Sequence, residues 1–264
     1  MYKKAFCMLL LLCTSAFCHQ NAPIFDANDF YADYKKIIAD IYQDVDAVIP
    51  EQERQGIKTN GGSPVYGEIL FDSVNSLLSK LQLTKDDVFY DLGSGLGKFV
   101  LQVYLMTPVK KSVGIEFSVS RYQRAQSAAL HVPKIYNDTF KFENSMRKNF
   151  GKPSLPKVKG KAFEYINGCI LQEDFSDATV VFTCSTCFDE DFLQKMVNKF
   201  AAIDDLRIVS LKALPYHKHL HLVATHTLAM TWSSDVAVYM YEIDRSKVAA
   251  NPHDETENVI FLQH

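Results

Sequence analysis

The chain has 264 residues, 47% hydrophobic and 22% charged. That is enough apolar material for a sizeable core, and it excludes both an intrinsically disordered chain and a disulfide-stapled miniprotein. Lys and Arg number 28 against 31 Asp and Glu, a net charge of -3, so any contact with a polyanion must rest on a local patch.

At the start, Lys3 and Lys4 precede an apolar run over residues 5–12, and Ala16-Phe17-Cys18 follows with small residues at a cleavage position. This is the order of a secretory signal peptide over residues 1–18, with export as the expected fate. The alternatives are a membrane tether or a cytosolic protein. The run is too short for a spanning helix, which needs ~20 apolar residues, and no later segment is apolar enough to span. Cleavage leaves Cys169, Cys184 and Cys187, an odd set that implies no disulfide framework.

Residues 19–64 form a lead-in. Phe30, Tyr34, Ile37, Ile38, Ile41 and Val45 recur at helical spacing over 26–48, and Pro50 closes the pattern. Residues 51–64 are polar, contain Gly61-Gly62 and a proline, and read as a loop or linker. The main domain, 65–246, opens with a helix over 65–81. A strand at 88–90, a glycine-rich turn, a helix at 99–106, a strand at 112–116 and a helix opening at Ser118 or Ser120 follow. This βαβα order belongs to an α/β fold with a parallel sheet covered on both faces. The pattern resumes with strands at 165–171, 179–183 and 206–211 and a helix at 190–202. Two alternating segments, 220–231 and 237–243, have no helix between them and predict an antiparallel hairpin on the sheet edge. Between the halves, residues 141–161 carry Arg147, Lys148, Lys152, Lys157, Lys159 and Lys161. This is a solvated loop or, on the weaker reading, a contact for a polyanion or acidic partner. Residues 247–264 are a polar tail.

The strongest chemical signal is Asp91-Leu92-Gly93-Ser94-Gly95-Leu96-Gly97, directly after a strand. A dinucleotide fingerprint would place its third glycine at position 98, which is Lys98. Asp91, two residues before the first glycine, would repel a pyrophosphate and attract an ammonium group. The pattern therefore points to the methionine end of S-adenosylmethionine rather than to a dinucleotide. Glu116 ends the next strand, where an acid can accept both ribose hydroxyls of a nucleoside. Asp174-Phe175 ends the third, a pair able to hold an adenine amine and stack its ring. The bland alternatives are a tight strand–helix turn and a surface acid at a strand end.

Two other constellations compete. Cys184-Ser185-Thr186-Cys187 lies between a strand and a helix, as a redox motif would, but follows several βα units and has no flanking Trp or Pro. His217, His219 and His221 alternate and would share a strand face, with no nearby Cys or carboxylate to complete a metal site. A solvated strand face is the preferred reading.

In the same order along the chain, Val65-Tyr66-Gly67-Glu68, residues 91–97, Val113-Gly114-Ile115-Glu116, Glu173-Asp174-Phe175, Ile208-Val209-Ser210-Leu211-Lys212, and Thr231-Trp232 with Tyr239 resemble the non-SET histone-lysine methyltransferases of the disruptor-of-telomeric-silencing family. The nucleotide motifs alone fit any class I methyltransferase. Tyr66-Gly67-Glu68 and Trp232 with Tyr239 single out this family. The chain departs from its pattern at Ile69, where the family has Thr, and at Thr183-Cys184-Ser185, where it has an Asn-containing strand end. The resemblance implies a Rossmann-like class I methyltransferase fold, S-adenosylmethionine as cofactor without a metal, and a protein lysine, histone-type, as substrate. Carried over by position, it implies a cofactor site of Glu68, Asp91, Gly93, Gly95, Glu116, Asp174 and Phe175. Phe188 and Tyr239 become walls of a lysine channel. A small-molecule methyltransferase and an exported, catalytically inactive binding module are the rival readings.

Overall fold

The computed structural model describes residues 27–144 and 162–249. The signal segment 1–18, most of the basic stretch 141–161 and most of the polar tail lie outside the described residues.

Helix α1 (Ala27–Ile41) forms where the sequence pattern places it and stops short of Val48. Its buried Ile37, Ile38 and Ile41 pack against Leu101, Tyr104 and Leu105 and against Ala128 and Val132. The polar stretch expected to be a loop is instead α2 (Glu51–Thr59) with Pro50 as its N-cap. Glu51 and Glu53 sit in its first turn and Lys58 in its last, all favourable to the helix dipole. Only Ile57 is buried, so the apolar periodicity that announces a helix is absent. The helix predicted over 65–81 is shorter, α3 (Phe71–Leu81). Residues 65–70 run extended, and Ile69 makes an antiparallel bridge to Met230, a tertiary contact that helical spacing does not reveal.

The sheet strands are β1 (Val88–Leu92), β2 (Lys111–Glu116), β3 (Ala162–Asn167), β4 (Val180–Thr183), β5 (Arg207–Ser210), β6 (Leu220–Met230) and β7 (Ser233–Ile243). The connecting helices are α4 (Lys98–Met106), α5 (Val119–Asn144) and α6 (Glu190–Phe200). The third strand therefore begins and ends earlier than its apolar run: Asn167 closes it, and 168–171 turn away. The strand order is β3-β2-β1-β4-β5-β7-β6. The first five strands are parallel, β7 runs antiparallel to β5, and β6 and β7 form the expected edge hairpin. This is a Rossmann-like α/β sheet with an antiparallel edge hairpin, as the βαβα order and the two terminal alternating segments predict.

Core clusters cover both faces. One joins Tyr90, Leu92 and Ile115 to Leu193, Met196 and Phe200 of α6. The other joins Phe89, Phe182 and Val209 to α3 and to Phe99 and Val103 of α4. Strand β1 is buried along its whole length. Chain order reverses around it, with β2 on one side and β4 on the other. Such a switch point opens a crevice beyond the C-terminal strand ends, where open α/β sheets bind ligands.

Among the described residues no helix is long and apolar enough to cross a membrane.

Candidate functional site

The turn after β1 is shaped by three glycines with positive φ: Gly93 at 91°, Gly95 at 55° and Gly97 at 76°. A side chain is strained at such angles. At Gly95 there is also no room, since an added Cβ would lie 2.7 Å from the Tyr66 ring. Gly93 and Ser94 donate backbone N–H groups to Ile115 O at 2.9 and 3.0 Å, pinning the turn to β2.

Asp91 and Glu116 stand at the adjacent ends of β1 and β2 and are both buried. Desolvation, with the Glu116 charge added to it, pushes the Asp91 carboxyl up to about 8. No hydrogen bond offsets that shift. Glu116 is also raised by burial, but its ionised form has partners: the N–H of Gly95 and of Ser118, each at 2.8 Å, and the nearby Arg121 guanidinium. A buried acid lacking a donor fits a ligand that brings an ammonium group. A second acid with a lone pair to spare beside a glycine turn fits ribose hydroxyls. The chemistry of this pair is therefore compatible with S-adenosylmethionine, which carries both an ammonium group and ribose hydroxyls.

One cavity gathers much of the expected site. Glu68, Asp91, Gly93, Gly95, Glu116 and Phe188 all line it. Glu68 accepts the Tyr66 hydroxyl and pairs with Lys98 Nζ at 2.9 Å. Its backbone is stitched to Thr231: Glu68 N–H donates to Thr231 Oγ1 at 3.0 Å, and Thr231 N–H to Glu68 O at 2.9 Å. Trp232 lies so close over Gly67 that a Cβ there would stand 2.3 Å from its ring.

Asp174, Phe175 and Tyr239 do not line this cavity. Asp174 accepts the N–H of Ser176 at 2.9 Å on an exposed turn. Phe175 is 1% exposed and packs between Tyr90 and Phe200, so its ring serves the core. The wall contributed by that loop is Cys169 and Ile170. Tyr239 is half-buried on β7, opposite Ser210 of β5, with its ring stacked on Tyr241 and packed against the same core layer as Phe188.

Sequence reasoning missed Arg121, Lys98 and Ile57, all of which line the cavity. Arg121 had one available signal, a lone cation in the first turn of the helix after Glu116. Ile57 had none, because its helix lacks apolar periodicity. Cys184 and Cys187 also line the cavity, but burial pushes the Cys184 thiol up to about 12, the reverse of an activated redox cysteine. Of the three histidines only His221 lies on β6, so they do not share a strand face as the alternation predicts. Among the described residues no three metal-ligating side chains cluster.

Several known proteins are similar to this chain. An H3 lysine-79 specific histone-lysine N-methyltransferase of Caenorhabditis elegans is 29% identical over 218 residues, covering 73% of this chain and 21% of that protein. Its Drosophila melanogaster namesake is 28% identical over 150 residues, covering 56% and 7%. The chain thus spans about a fifth of the first of these relatives and less of the second. Among solved structures, a putative RNA methyltransferase from Pyrococcus horikoshii superposes with a TM-score of 0.45 at 14% identity, over 82% of this chain and 98% of that one; the likeness is too distant to bear on function. The family described as histone methylation protein DOT1 matches residues 46–246, a span that takes in α2, the glycine turn, both buried acids and the terminal hairpin, and the chain belongs to that family.

Proposed function

We propose that the protein is an S-adenosylmethionine-dependent methyltransferase acting on the side-chain amine of a protein lysine, histone-type. The observation that carries this reading is the pair Asp91 and Glu116, two buried acids at neighbouring strand ends beneath a turn of positive-φ glycines. Family membership supports the lysine.

The cofactor supplies an activated methyl group on a sulfonium; the chain has to hold it and present an amine. Glu116 would accept the cofactor's hydroxyl hydrogen bonds, its carboxylate kept aimed by the N–H groups of Gly95 and Ser118, and Asp91 would pair with the ammonium group. A lysine amine has a pKa of about 10.4 in water and no free lone pair when charged. Phe182, Phe188, Leu211 and Trp232 give the cavity an apolar side, which disfavours the ammonium form by desolvation. Excluding water and aligning the neutral nitrogen would supply much of the rate.

The deciding experiment incubates the protein with methyl-labelled S-adenosylmethionine and mixed protein substrates, histones and nucleosomes included. Label on lysine is the expected result. Cofactor binding without transfer to any protein would favour the inactive-module reading, and transfer only to small amines would favour the other rival. We also propose, from residues 1–18 alone, that the chain is exported. Mature protein should then begin near His19 outside the producing cytoplasm, and an intact Met1 in a soluble cytosolic pool would overturn this while leaving the chemistry untouched.

A further inference from the structure

Residues 47–66 cross the cofactor cavity as a strap, and Ile57, Asn60, Ser63 and Tyr66 from it face the cavity. One landing is on α5, where Glu53 accepts the Ser118 and Ser120 hydroxyls, each at 2.5 Å, and the Ser120 N–H at 3.2 Å. The other is on α6, where a Cβ at Gly61 would lie 2.9 Å from Asp189 Oδ2 and 3.3 Å from the Phe192 ring. Arg121, in the first turn of α5, is only 5% exposed. Its Nη2 donates to Pro64 O at 2.8 Å and its Nε to Ala47 O at 3.2 Å, so one guanidinium grips both ends of the strap. The same group lies 4.9 Å from the centre of the Tyr66 ring.

A cation is costly to bury, and this one has the Glu116 and Glu53 charges nearby to offset part of that cost. What the fold gains is a rigid planar fork that satisfies two carbonyls and stacks on an aromatic ring, a set no ammonium can match. We propose that Arg121 is a positioning residue that holds residues 47–66 closed over the cofactor cavity and so sets the residence time of the cofactor. The inference rests on the S-adenosylmethionine reading and adds to it the part that governs retention.

The test measures S-adenosylmethionine dissociation by displacement from the full chain, for wild type and Arg121→Lys. The dissociation rate should rise at least tenfold. The cofactor KM should rise likewise, with kcat falling far less, a split that general destabilisation would not produce. Folded Arg121→Lys with the wild-type dissociation rate would overturn the proposal. If that variant does not fold, Glu53→Gln loosens the α5 landing instead and should speed dissociation about threefold; an unchanged rate there is equally fatal. Wild type that binds no S-adenosylmethionine would sink the cofactor reading and residence time with it. Separately, tryptic cleavage after the exposed Lys58 should be faster in Arg121→Lys without any ligand, and equal cleavage would overturn the closing role itself.

Discussion

Glu116 Oε2 accepts the backbone N–H of Gly95 at 2.8 Å. The acid at the end of β2 therefore holds the glycine turn at the end of β1, and the two halves of the proposed nucleoside site are one unit. Its other oxygen accepts Ser118 N–H, also at 2.8 Å, which ties the same carboxylate to the start of α5. Glu116→Gln keeps the shape but turns one acceptor into a donor facing an N–H. Charge-assisted hydrogen bonds are worth about 1.5–3 kcal/mol each, so calorimetry should show S-adenosylmethionine affinity at least tenfold weaker. Folded Glu116→Gln with wild-type affinity would remove Glu116 from the site.

The proposed pairing of Asp91 with the cofactor's ammonium group predicts that binding depends on pH. Burial raises its carboxyl to about 8, so without cofactor it is mostly protonated at neutral pH, and it must ionise to pair with an ammonium. Affinity should therefore strengthen as pH rises from about 6 toward 8, with a proton released on binding, until the ligand's own amine, near 7.7–8.0 in water, begins to lose its charge. Glu116, Tyr165 and Cys184 share this electrostatic neighbourhood. The strong slope belongs to Asp91 if Asp91→Asn flattens it. The same shift has a stability cost. An acid whose folded pKa is raised costs stability progressively as pH climbs from its unfolded value near 4 to its folded one, so unliganded Asp91→Asn should melt higher than wild type at pH 8 and gain little at pH 4.

How much of this was readable from the amino-acid sequence depended on whether a feature is local. Asp91 and Glu116 announce themselves because a glycine spacing and a strand end are written in consecutive residues, and the hairpin because its alternation is long. Helix α2 escaped because one buried Ile57 makes no period, although Pro50 and the acids after it are recognisable start signals in retrospect. Arg121 escaped because its partners, Ala47 and Pro64, are far away in sequence. The sequence puts Phe175 at the end of the third strand, but that strand closes at Asn167 and Phe175 lies in the following loop; its core packing against Tyr90 and Phe200 depends on where α6 docks.

Gly67 and Trp232 provide a packing test of the strap's far end. Gly67→Ala drives a methyl group into the indole face and should shift Glu68 off Thr231 and disturb the Tyr66 hydroxyl that Glu68 accepts, weakening cofactor binding severalfold. Removing the obstruction in Gly67→Ala/Trp232→Gly should return part of that loss. Residues in contact typically couple by about 0.5–3 kcal/mol, so strictly additive effects in the double-mutant cycle would contradict the contact.

Asp87 anchors the opposite end of the sheet. It is 7% exposed, accepts Thr84 N–H at 2.6 Å and Thr179 Oγ1 at 2.7 Å, and pairs with Arg207 Nη2 at 2.6 Å. Burial alone would raise its carboxyl, but these hydrogen bonds and the guanidinium outweigh it and hold the group below its usual value. Its contribution is then complete above the unfolded pKa near 4 and is lost as pH falls through the lower native one. Breaking a buried pair costs about 3–5 kcal/mol. Arg207 is partly exposed, so Asp87→Ala should lose about 2–3 kcal/mol in urea unfolding at pH 7, and most of the difference from wild type should vanish near pH 2. A cofactor affinity lowered in proportion to stability would show that the two ends of the sheet are not independent.

Phe188 and Tyr239 are predicted to share the amine channel, yet only Phe188 lines the cavity. Tyr239 packs against the same core cluster as Phe188, with its ring stacked on Tyr241. Truncating Phe188 should admit water to the transfer end and raise the pKa of the bound lysine amine, so Phe188→Ala should lower kcat at least tenfold and move the rate optimum to higher pH. Tyr239→Ala should spare S-adenosylmethionine affinity, since its ring is not among the cavity walls, and slow lysine methylation by a smaller factor by loosening the core layer against which Phe188 also packs. Steady-state kinetics over pH 6–10 with saturating cofactor decide between the two positions. A larger loss at Tyr239 than at Phe188 would mean that the ring enters the channel when substrate binds. Wild-type turnover in both variants would place the acceptor elsewhere along the cavity, toward Trp232 and Leu211.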